Sequence, residues 1–155
     1  GSILEEVVTD CTPVAEAANL RLRSVPCRAV VKSDRVLLKR MIRNLLVNST
    51  RYTKEGRILL GCRYRGDHVL VQVADTGIGI APDRQDLIFE DFYQINNPAR
   101  DKTRGLGLGL AIVNRVGRLL DHPISVNSRL GHGSIFSIRV PLATDCAPPE
   151  QTTLL

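Results

Sequence analysis

Three groups of residues have types and spacing that could bind a ligand, and they follow one another along the chain. Asn44 and Asn48 come first, residues 75–79 have the sequence Asp-Thr-Gly-Ile-Gly, and residues 105–109 have the sequence Gly-Leu-Gly-Leu-Gly. A carboxylate can accept a hydrogen bond from a base, an amide oxygen can bind a hard cation, and glycine backbone can approach phosphates closely. In this order the groups predict a pocket for a base, a metal ion and phosphates.

The two asparagines lie four residues apart on a predicted helix, so their side chains point the same way. Asp34 is a typical helix-capping residue, and it precedes apolar residues at helical spacing: Leu37, Leu38, Met41, Ile42, Leu45 and Leu46. Amides beside this stripe need hydrogen-bond partners, and neighbouring backbone would satisfy them. Alternatively, Asn48 offers its oxygen to Mg²⁺, which shares the phosphates of its nucleotide. One turn later, Arg51 could reach a phosphate and Tyr52 could flank a base.

The first glycine cluster begins with Asp75, at the end of an apolar strand. Its carboxylate would repel a phosphate but can accept a hydrogen bond from an exocyclic amine such as that of adenine. Gly77 and Gly79 allow a ligand close to the backbone, or a positive φ. Aspartate and glycine are also common in turns, so an ordinary turn is the alternative.

The second glycine cluster leads directly into a predicted helix that ends at Leu120. Gly105, Gly107 and Gly109 leave backbone N–H groups uncovered at the helix start, which is a favourable site for an anion. No Gly-Lys-Ser/Thr sequence of a P-loop is present, and a dinucleotide motif needs glycine where Leu110 stands. A tight loop that packs the helix on a sheet is the alternative.

The remaining elements must position these groups. Residues 91–104 have no clear period, which predicts a functional loop. Strands outnumber long helices and alternate irregularly with them, which favours an α/β protein, a two-layer sandwich with helices on one sheet face. Helices are predicted over residues 3–18, 34–52, 82–90 and 108–120, and Pro13 would kink or restart the first of them. Single strands are predicted over 20–25 and 29–31. Two hairpins are predicted, one of 57–64 with 69–74 and one of 124–128 with 134–140.

Composition narrows the class of protein. The net charge is +5, but aromatic residues make up only 4% of the chain, which is poor for stacking on bases, so we expect an anionic ligand and no nucleic acid. No apolar run approaches the ~18 residues of a membrane span, and we expect no direct membrane contact. The cysteines stand far apart without a Cys-x-x-Cys motif, which disfavours zinc and predicts reduced thiols: Cys11, Cys27, Cys62 and Cys146.

Four segments, in order, resemble the motifs of the ATP-binding catalytic domain of sensor histidine kinases, within the gyrase, Hsp90, histidine kinase and MutL superfamily. Residues 44–53 resemble the N box, 75–80 the G1 box, 89–92 the F box and 105–110 the G2 box. The resemblance implies a Bergerat-type ATP-binding fold with helices on one face of a mixed sheet. We expect this domain over residues 3–142 and a flexible tail or linker over 143–155.

The resemblance also implies ATP and Mg²⁺ as cofactors. Asn48 would bind the metal, Asp75 would read adenine, and residues 93–104 would form a lid with Arg100, Lys102 or Arg104 near the phosphates. Phe89 and Phe92 would couple that lid to the core. Asn44 and Arg51 are the candidates for a catalytic role. The residues expected around the nucleotide are Asn44, Asn48, Arg51, Tyr52, Asp75, Gly77, Gly79, Ile80, Arg104, Gly105, Leu106, Gly107, Leu108 and Gly109.

Two positions depart from the family pattern. Arg51 stands where lysine is usual, which keeps the charge and changes its geometry. Ser49 stands where alanine is usual, which we interpret as a mild packing change. His68, His122 and His132 fall in predicted turns or strand edges, whereas the family's phosphoacceptor histidine lies in a helical hairpin.

The implied function is that of a protein-histidine kinase in two-component signalling. The chain would donate the γ-phosphate of ATP to a histidine on a dimerisation and phosphoacceptor domain absent from it, with a response regulator receiver domain downstream, in the cytoplasm. An ATPase switch of the gyrase or Hsp90 type is disfavoured, because those proteins place glutamate where Asn44 stands and an amide is no general base. An anti-sigma serine kinase and a non-catalytic nucleotide-sensing module are two further hypotheses.

Overall fold

The computed structural model describes residues 2–90 and 109–143. Two short 3-10 turns, Pro82–Arg84 and Leu87–Phe89, lie between the third strand and the last helix. The helices and strands are α1 Ile3–Ala17, β1 Arg21–Ser24, α2 Arg35–Tyr52, β2 Arg57–Arg65, β3 His68–Asp75, α3 Gly109–Leu120, β4 Ile124–Arg129 and β5 Gly133–Pro141.

The strands form one mixed sheet in the order β1-β2-β3-β5-β4. Among the described strands, β1 and β2 run parallel, and the other neighbours are antiparallel. Alternate residues of each central strand face the helices, as Ile58 and Leu60 of β2 do, while Leu59 between them is 42% exposed. The buried residues of helices and strands form a single core. The predicted two-layer α/β sandwich is therefore confirmed.

Helix α2 is the central element of the helical layer, and its bounds follow from local chemistry. The side chain of Asp34 accepts a hydrogen bond from the Leu37 N–H at 2.9 Å and so caps the helix, as predicted. The helix ends at Tyr52, where Thr53 takes an extended conformation. Its apolar stripe is buried against the sheet at Leu38, Met41, Ile42, Leu45 and Leu46.

Both predicted hairpins are confirmed, but three other predictions need correction. Pro13 does not restart the helix, because α1 is continuous through it. Residues 29–31 are not a strand, because their antiparallel pairing with the chain after β5 is limited to one bridge, between Val31 and Leu142. Residues 82–90 form the two 3-10 turns in place of one helix, since so short a segment gains little from helix propagation.

Some predictions fall outside the described residues. These are the loop 91–104, the residues of the second glycine cluster before Gly109, and the tail beyond Ala143. Within the described helices, none is both long enough and apolar enough to cross a bilayer.

The loop after β3 is fixed against the turn between β4 and β5. Gly79 has φ +70°, and a Cβ atom on it would lie 2.1 Å from the carbonyl oxygen of Arg129. The Gly131 N–H donates to the carbonyl oxygen of Ile78 at 2.7 Å, and the Ile80 N–H donates to Ser128 Oγ at 2.8 Å. Glycine at position 79 is thus required both by the backbone conformation and by the close approach of the turn.

Substituting this glycine should cost more free energy of unfolding than substituting a glycine in open space. Gly66 offers a matched control, because its φ is +60° and nothing lies within 4 Å of the added Cβ. We expect Gly66→Ala to destabilise the protein by about 1–2 kcal/mol through backbone strain alone. Gly79→Ala should cost roughly 1–3 kcal/mol more, because the turn must also move. Urea unfolding measures both, and equal losses would contradict the close packing described.

Candidate nucleotide-binding site

The carboxylate of Asp75 is the central polar group of the candidate site. Asp75 is the last residue of β3, and its Oδ1 accepts a hydrogen bond from the Gly77 N–H at 2.9 Å. Its Oδ2 accepts from Ser49 Oγ at 3.2 Å, which joins β3 to α2. A carboxylate has about four acceptor positions, so this one can accept a further hydrogen bond from a ligand.

Burial dominates the protonation of this carboxyl group. Desolvation raises the pKa of Asp75 above its usual range, while hydrogen bonds from the backbone of Gly77, the hydroxyl of Ser49 and the backbone of Ser134 oppose the rise. A half-buried carboxylate oriented by three fixed donors is suited to recognise one hydrogen-bond donor in a defined direction.

The last turn of α2 lies directly against the loop that follows Asp75. The Ile78 N–H donates to the carbonyl oxygen of Tyr52 at 3.2 Å. A Cβ atom at position 77 would lie 2.4 Å from that same oxygen and 2.9 Å from Thr53 Oγ1, so only glycine fits there. This packing places the helix turn that contains Asn48 at the same corner of the sheet as Asp75.

Asn44 has an unsatisfied donor one turn earlier on α2. Its Nδ2 is buried and has no hydrogen-bond partner within the part of the chain that the structure describes. The same holds for Oγ1 of Thr53, which lies beside Gly77. A buried donor without a partner costs about 1–3 kcal/mol, so such groups fit a ligand or water that completes them. A donating amide nitrogen suits a phosphate or water oxygen and cannot coordinate a metal ion.

The metal prediction rests on oxygen ligands. Among residues 2–90 and 109–143, no group of three or more histidine, cysteine, aspartate or glutamate side chains could hold a metal ion. A Mg²⁺ ion here would therefore need phosphate oxygens and water as most of its ligands, which is its common mode of binding with nucleotides. The half-buried Asn48, beside Ser49 on α2, is compatible with adding one amide oxygen to that set.

The other predicted site residues differ in their surroundings. Arg51 is exposed on the last turn of α2, and Tyr52 is half-buried beside it. Ile80 is buried, 5% exposed, so its side chain belongs to the core. Gly109 begins α3, while Arg104, Gly105, Leu106, Gly107 and Leu108 lie outside the described residues.

Two further residues of this corner were not predicted as site residues. Ser49, interpreted from the sequence as a packing change, contacts the Asp75 carboxylate directly. Thr53, the residue after α2, lines the position of Gly77. Both lie in the segment that follows Asn48, and Ser49 also departs from the family pattern at that position. In addition, Phe89 packs edge to face on Phe136, with ring centroids 6.4 Å apart, as a core residue does.

Comparison with known protein families gives an independent result. The profile of the family described as histidine kinase-, DNA gyrase B-, and HSP90-like ATPase matches residues 33–144. The chain is 36% identical over 148 residues to the sensor histidine kinase AtsR of Burkholderia thailandensis, covering 87% of this chain and 25% of that protein. It is 37% identical to the sensor histidine kinase RppB of Synechocystis, covering 90% of this chain and 32% of RppB. The chain thus spans a quarter to a third of the length of these relatives.

Solved structures agree with the fold. The structure of full-length ShkA in complex with AMPPNP superposes with a TM-score of 0.80 at 32% identity, covering 95% of this chain and 31% of that one. The catalytic domain of histidine kinase ThkA has a TM-score of 0.75 at 23% identity, covering 90% of each chain. At that identity the ThkA comparison supports the fold alone.

The contact between Ser49 and Asp75 can be tested by titration. Ser49→Ala should raise the pKa of Asp75 further, because one hydrogen bond to the charged form disappears while burial persists. The folded pKa lies above the unfolded one, so the free energy of unfolding falls as pH rises between the two values. In Ser49→Ala this decline should extend to higher pH. The pKa is measured by NMR of the carboxyl carbon.

Thr50→Val is the matched control for this substitution. The Thr50 hydroxyl donates to the carbonyl oxygen of Val47 within α2, so its removal takes away a neighbouring hydroxyl without touching Asp75. We expect the control to leave the pKa of Asp75 unchanged. An equal pKa in Ser49→Ala and the wild-type chain would show that the hydrogen bond has no role.

Proposed function

Because the chain belongs to the family of histidine kinase-, DNA gyrase B- and HSP90-like ATPases, we propose that it holds the phosphoryl donor of a protein-histidine kinase. It binds ATP with Mg²⁺ and presents the γ-phosphate to a histidine on a separate dimerisation and phosphoacceptor domain. A response regulator receiver domain then accepts the phosphoryl group. The sensor histidine kinases AtsR and RppB, which are 36% and 37% identical to the chain, support this assignment.

The observation that carries the proposal is the environment of Asp75. Its carboxylate is oriented by Gly77 and Ser49 and keeps acceptor capacity for a ligand. The exocyclic amine of adenine is a donor of the required kind, and guanine would present a carbonyl oxygen at that position and be repelled. Asp75 would therefore select ATP over GTP, and the ShkA complex with AMPPNP, an ATP analogue, is compatible with this role.

The phosphates would lie toward Asn44, Asn48 and Arg51. The unsatisfied Nδ2 of Asn44 would donate to a phosphate oxygen or to its bound water, and the exposed guanidinium of Arg51 would add positive charge. Mg²⁺, held by Asn48 and the phosphates, would neutralise negative charge on the phosphoryl group that is transferred. Phosphoryl transfer depends mainly on such positioning and charge neutralisation, so these residues need no covalent chemistry of their own.

The histidines of the chain support an acceptor elsewhere. His68 begins β3 beside the carboxylate of Asp67, with 2.8 Å between Nδ1 and Oδ1. His122 is 2% exposed, and its Nε2 is 2.7 Å from Ser33 Oγ. His132 lies in the turn between β4 and β5, next to the anchored loop. None is on a helix like the acceptor of the kinases that the chain resembles.

An ATPase switch is the less favoured alternative. Water activation in such a switch requires a general base near the γ-phosphate. By the resemblance to those proteins, Asn44 would stand at that position, and its buried amide nitrogen can only donate. Asn44 therefore cannot act as the general base that sustained ATP hydrolysis requires. Transfer to a histidine nucleophile does not require a general base from this domain.

Substitution of Asp75 tests base recognition. In Asp75→Asn the acceptor becomes an amide, and we expect the affinity for ATP to fall by about tenfold or more, the cost of a hydrogen bond to a charged group. The affinity for purine riboside triphosphate, which lacks the exocyclic amine, should change little. Calorimetric titration gives both affinities. Equal losses for the two nucleotides would make Asp75 a structural residue.

Two variants complete that experiment. Asp83→Asn removes an exposed carboxylate from the 3-10 turn and should leave both affinities unchanged. Asn48→Ala should abolish the gain in ATP affinity that Mg²⁺ gives the wild-type chain, while affinity without the metal is kept. An undiminished effect of Mg²⁺ in Asn48→Ala would remove this residue from the metal site.

A further inference from the structure

Two cysteines that are distant in the sequence meet at the edge of the sheet, away from the nucleotide site. Cys62 is on β2, on the face that packs against the core, and pairs with Val71 of β3. Cys27 follows β1, where the Val25 N–H donates to the carbonyl oxygen of Leu60 at 2.8 Å and keeps the chain beside β2. The two thiol groups lie close enough for each to shift the pKa of the other. The fold, and not a sequence motif, therefore creates a dithiol pair.

Both cysteines line the same surface cavity. It has a volume of about 350 Å³ and lies between the start of α1, residues 27–31, the first part of α2 and the strands β2 and β3. Cys27 and Cys62 are each half-buried, so a small polar reagent can reach the pair through this cavity. Cys11, by contrast, is 2% exposed in the core.

The surroundings give the two sulfur atoms different roles. The hydrogen bond from the Cys62 thiol lowers the pKa of Cys27 to about 6, helped by the backbone of Ala29 and opposed by burial. The same contact and burial raise the pKa of Cys62. These opposite shifts favour the thiolate, the nucleophilic form, at Cys27 and the neutral thiol at Cys62. Burial raises the pKa of Cys11, which leaves that thiol unreactive.

We propose that Cys27 and Cys62 form a peroxide-reactive site that closes to a disulfide. The Cys27 thiolate attacks one oxygen of hydrogen peroxide, the O–O bond breaks, and the leaving hydroxide takes a proton to become water. Cys27 is then a sulfenic acid. The sulfur of Cys62 attacks the Cys27 sulfur, the S–O bond breaks, and the leaving hydroxide takes the Cys62 proton as a second water. Two thiols are oxidised by two electrons, and one peroxide is reduced to two waters.

The site is independent of the proposed kinase activity. On β2, Cys62 is four residues from Ile58, the partner of Asp75 in the sheet, which places it about 13 Å along the strand. The disulfide would tie residues 25–31 to β2 at the cavity and involves no residue of the nucleotide site. A failure of ATP binding would therefore not affect the disulfide proposal. A failure to form the disulfide would likewise not affect the proposed kinase function.

Peptide mapping tests the pairing. The reduced, folded chain is treated with hydrogen peroxide, its remaining thiols are alkylated in denaturant, and it is digested with trypsin. We expect the tryptic peptides 24–28 and 58–63 to appear as one disulfide-linked species, while Cys11 and Cys146 are recovered alkylated. The double variant Cys11→Ser and Cys146→Ser should form the same species. Recovery of both peptides in the alkylated form, or with singly oxidised cysteines, would overturn the proposal.

Single variants test the order of the steps. In Cys62→Ser, Cys27 should stop at the sulfenic acid, which dimedone traps, and in Cys27→Ser no dimedone adduct should form at Cys62. Alkylation of Cys27 by iodoacetamide should rise with pH around pH 6 in the wild-type chain and at higher pH in Cys62→Ala, where the hydrogen-bond donor is missing. Circular dichroism checks that each variant is folded. A dimedone adduct at Cys62 in Cys27→Ser would contradict the assignment of Cys27 as the nucleophile.

Discussion

The half-buried carboxylate of Asp75 is the constraint on which the rest of the candidate site depends. A charge at the end of β3 loses hydration, and donors from two elements offset part of that cost: the N–H of Gly77 and the hydroxyl of Ser49. To supply these donors, the last turn of α2 and the loop after β3 must pack closely. That packing in turn requires glycine at position 77.

The sequence was sufficient where structure is local. The Asp34 cap, the apolar stripe of α2 and both hairpins follow from patterns of a few residues, and the two-layer architecture follows from their order. The sequence was not sufficient to predict a strand where the strand depends on pairing with a distant part of the chain. Residues 29–31 have strand-like composition, yet their pairing is too short for a strand and contains one bridge, between Val31 and Leu142. Residues 82–90 are likewise too short for propensity to decide between one helix and two 3-10 turns.

The site residues divide in the same way. Asn48, Asp75 and the glycines were predicted from motifs, but the contact between Ser49 and Asp75 joins positions 26 residues apart and has no sequence pattern. Cys27 and Cys62 meet for the same reason, through the pairing of β1 with β2. The sequence suggested that Gly77 and Gly79 leave room for a ligand. In the fold, both positions are closely approached by protein backbone, which alone explains the absence of a side chain.

Phosphotransfer in trans is the decisive measurement for the proposed donor role. The chain is incubated with Mg²⁺ and ATP labelled at the γ-phosphate, together with the separately produced dimerisation and phosphoacceptor domain of its parent protein. We expect label on that domain as phosphohistidine, which is lost in acid and kept in base. With Asp75→Asn we expect no label at ATP concentrations below the dissociation constant of that variant. Acid-stable phosphoserine on the partner, or release of free phosphate without any labelled protein, would contradict the donor role.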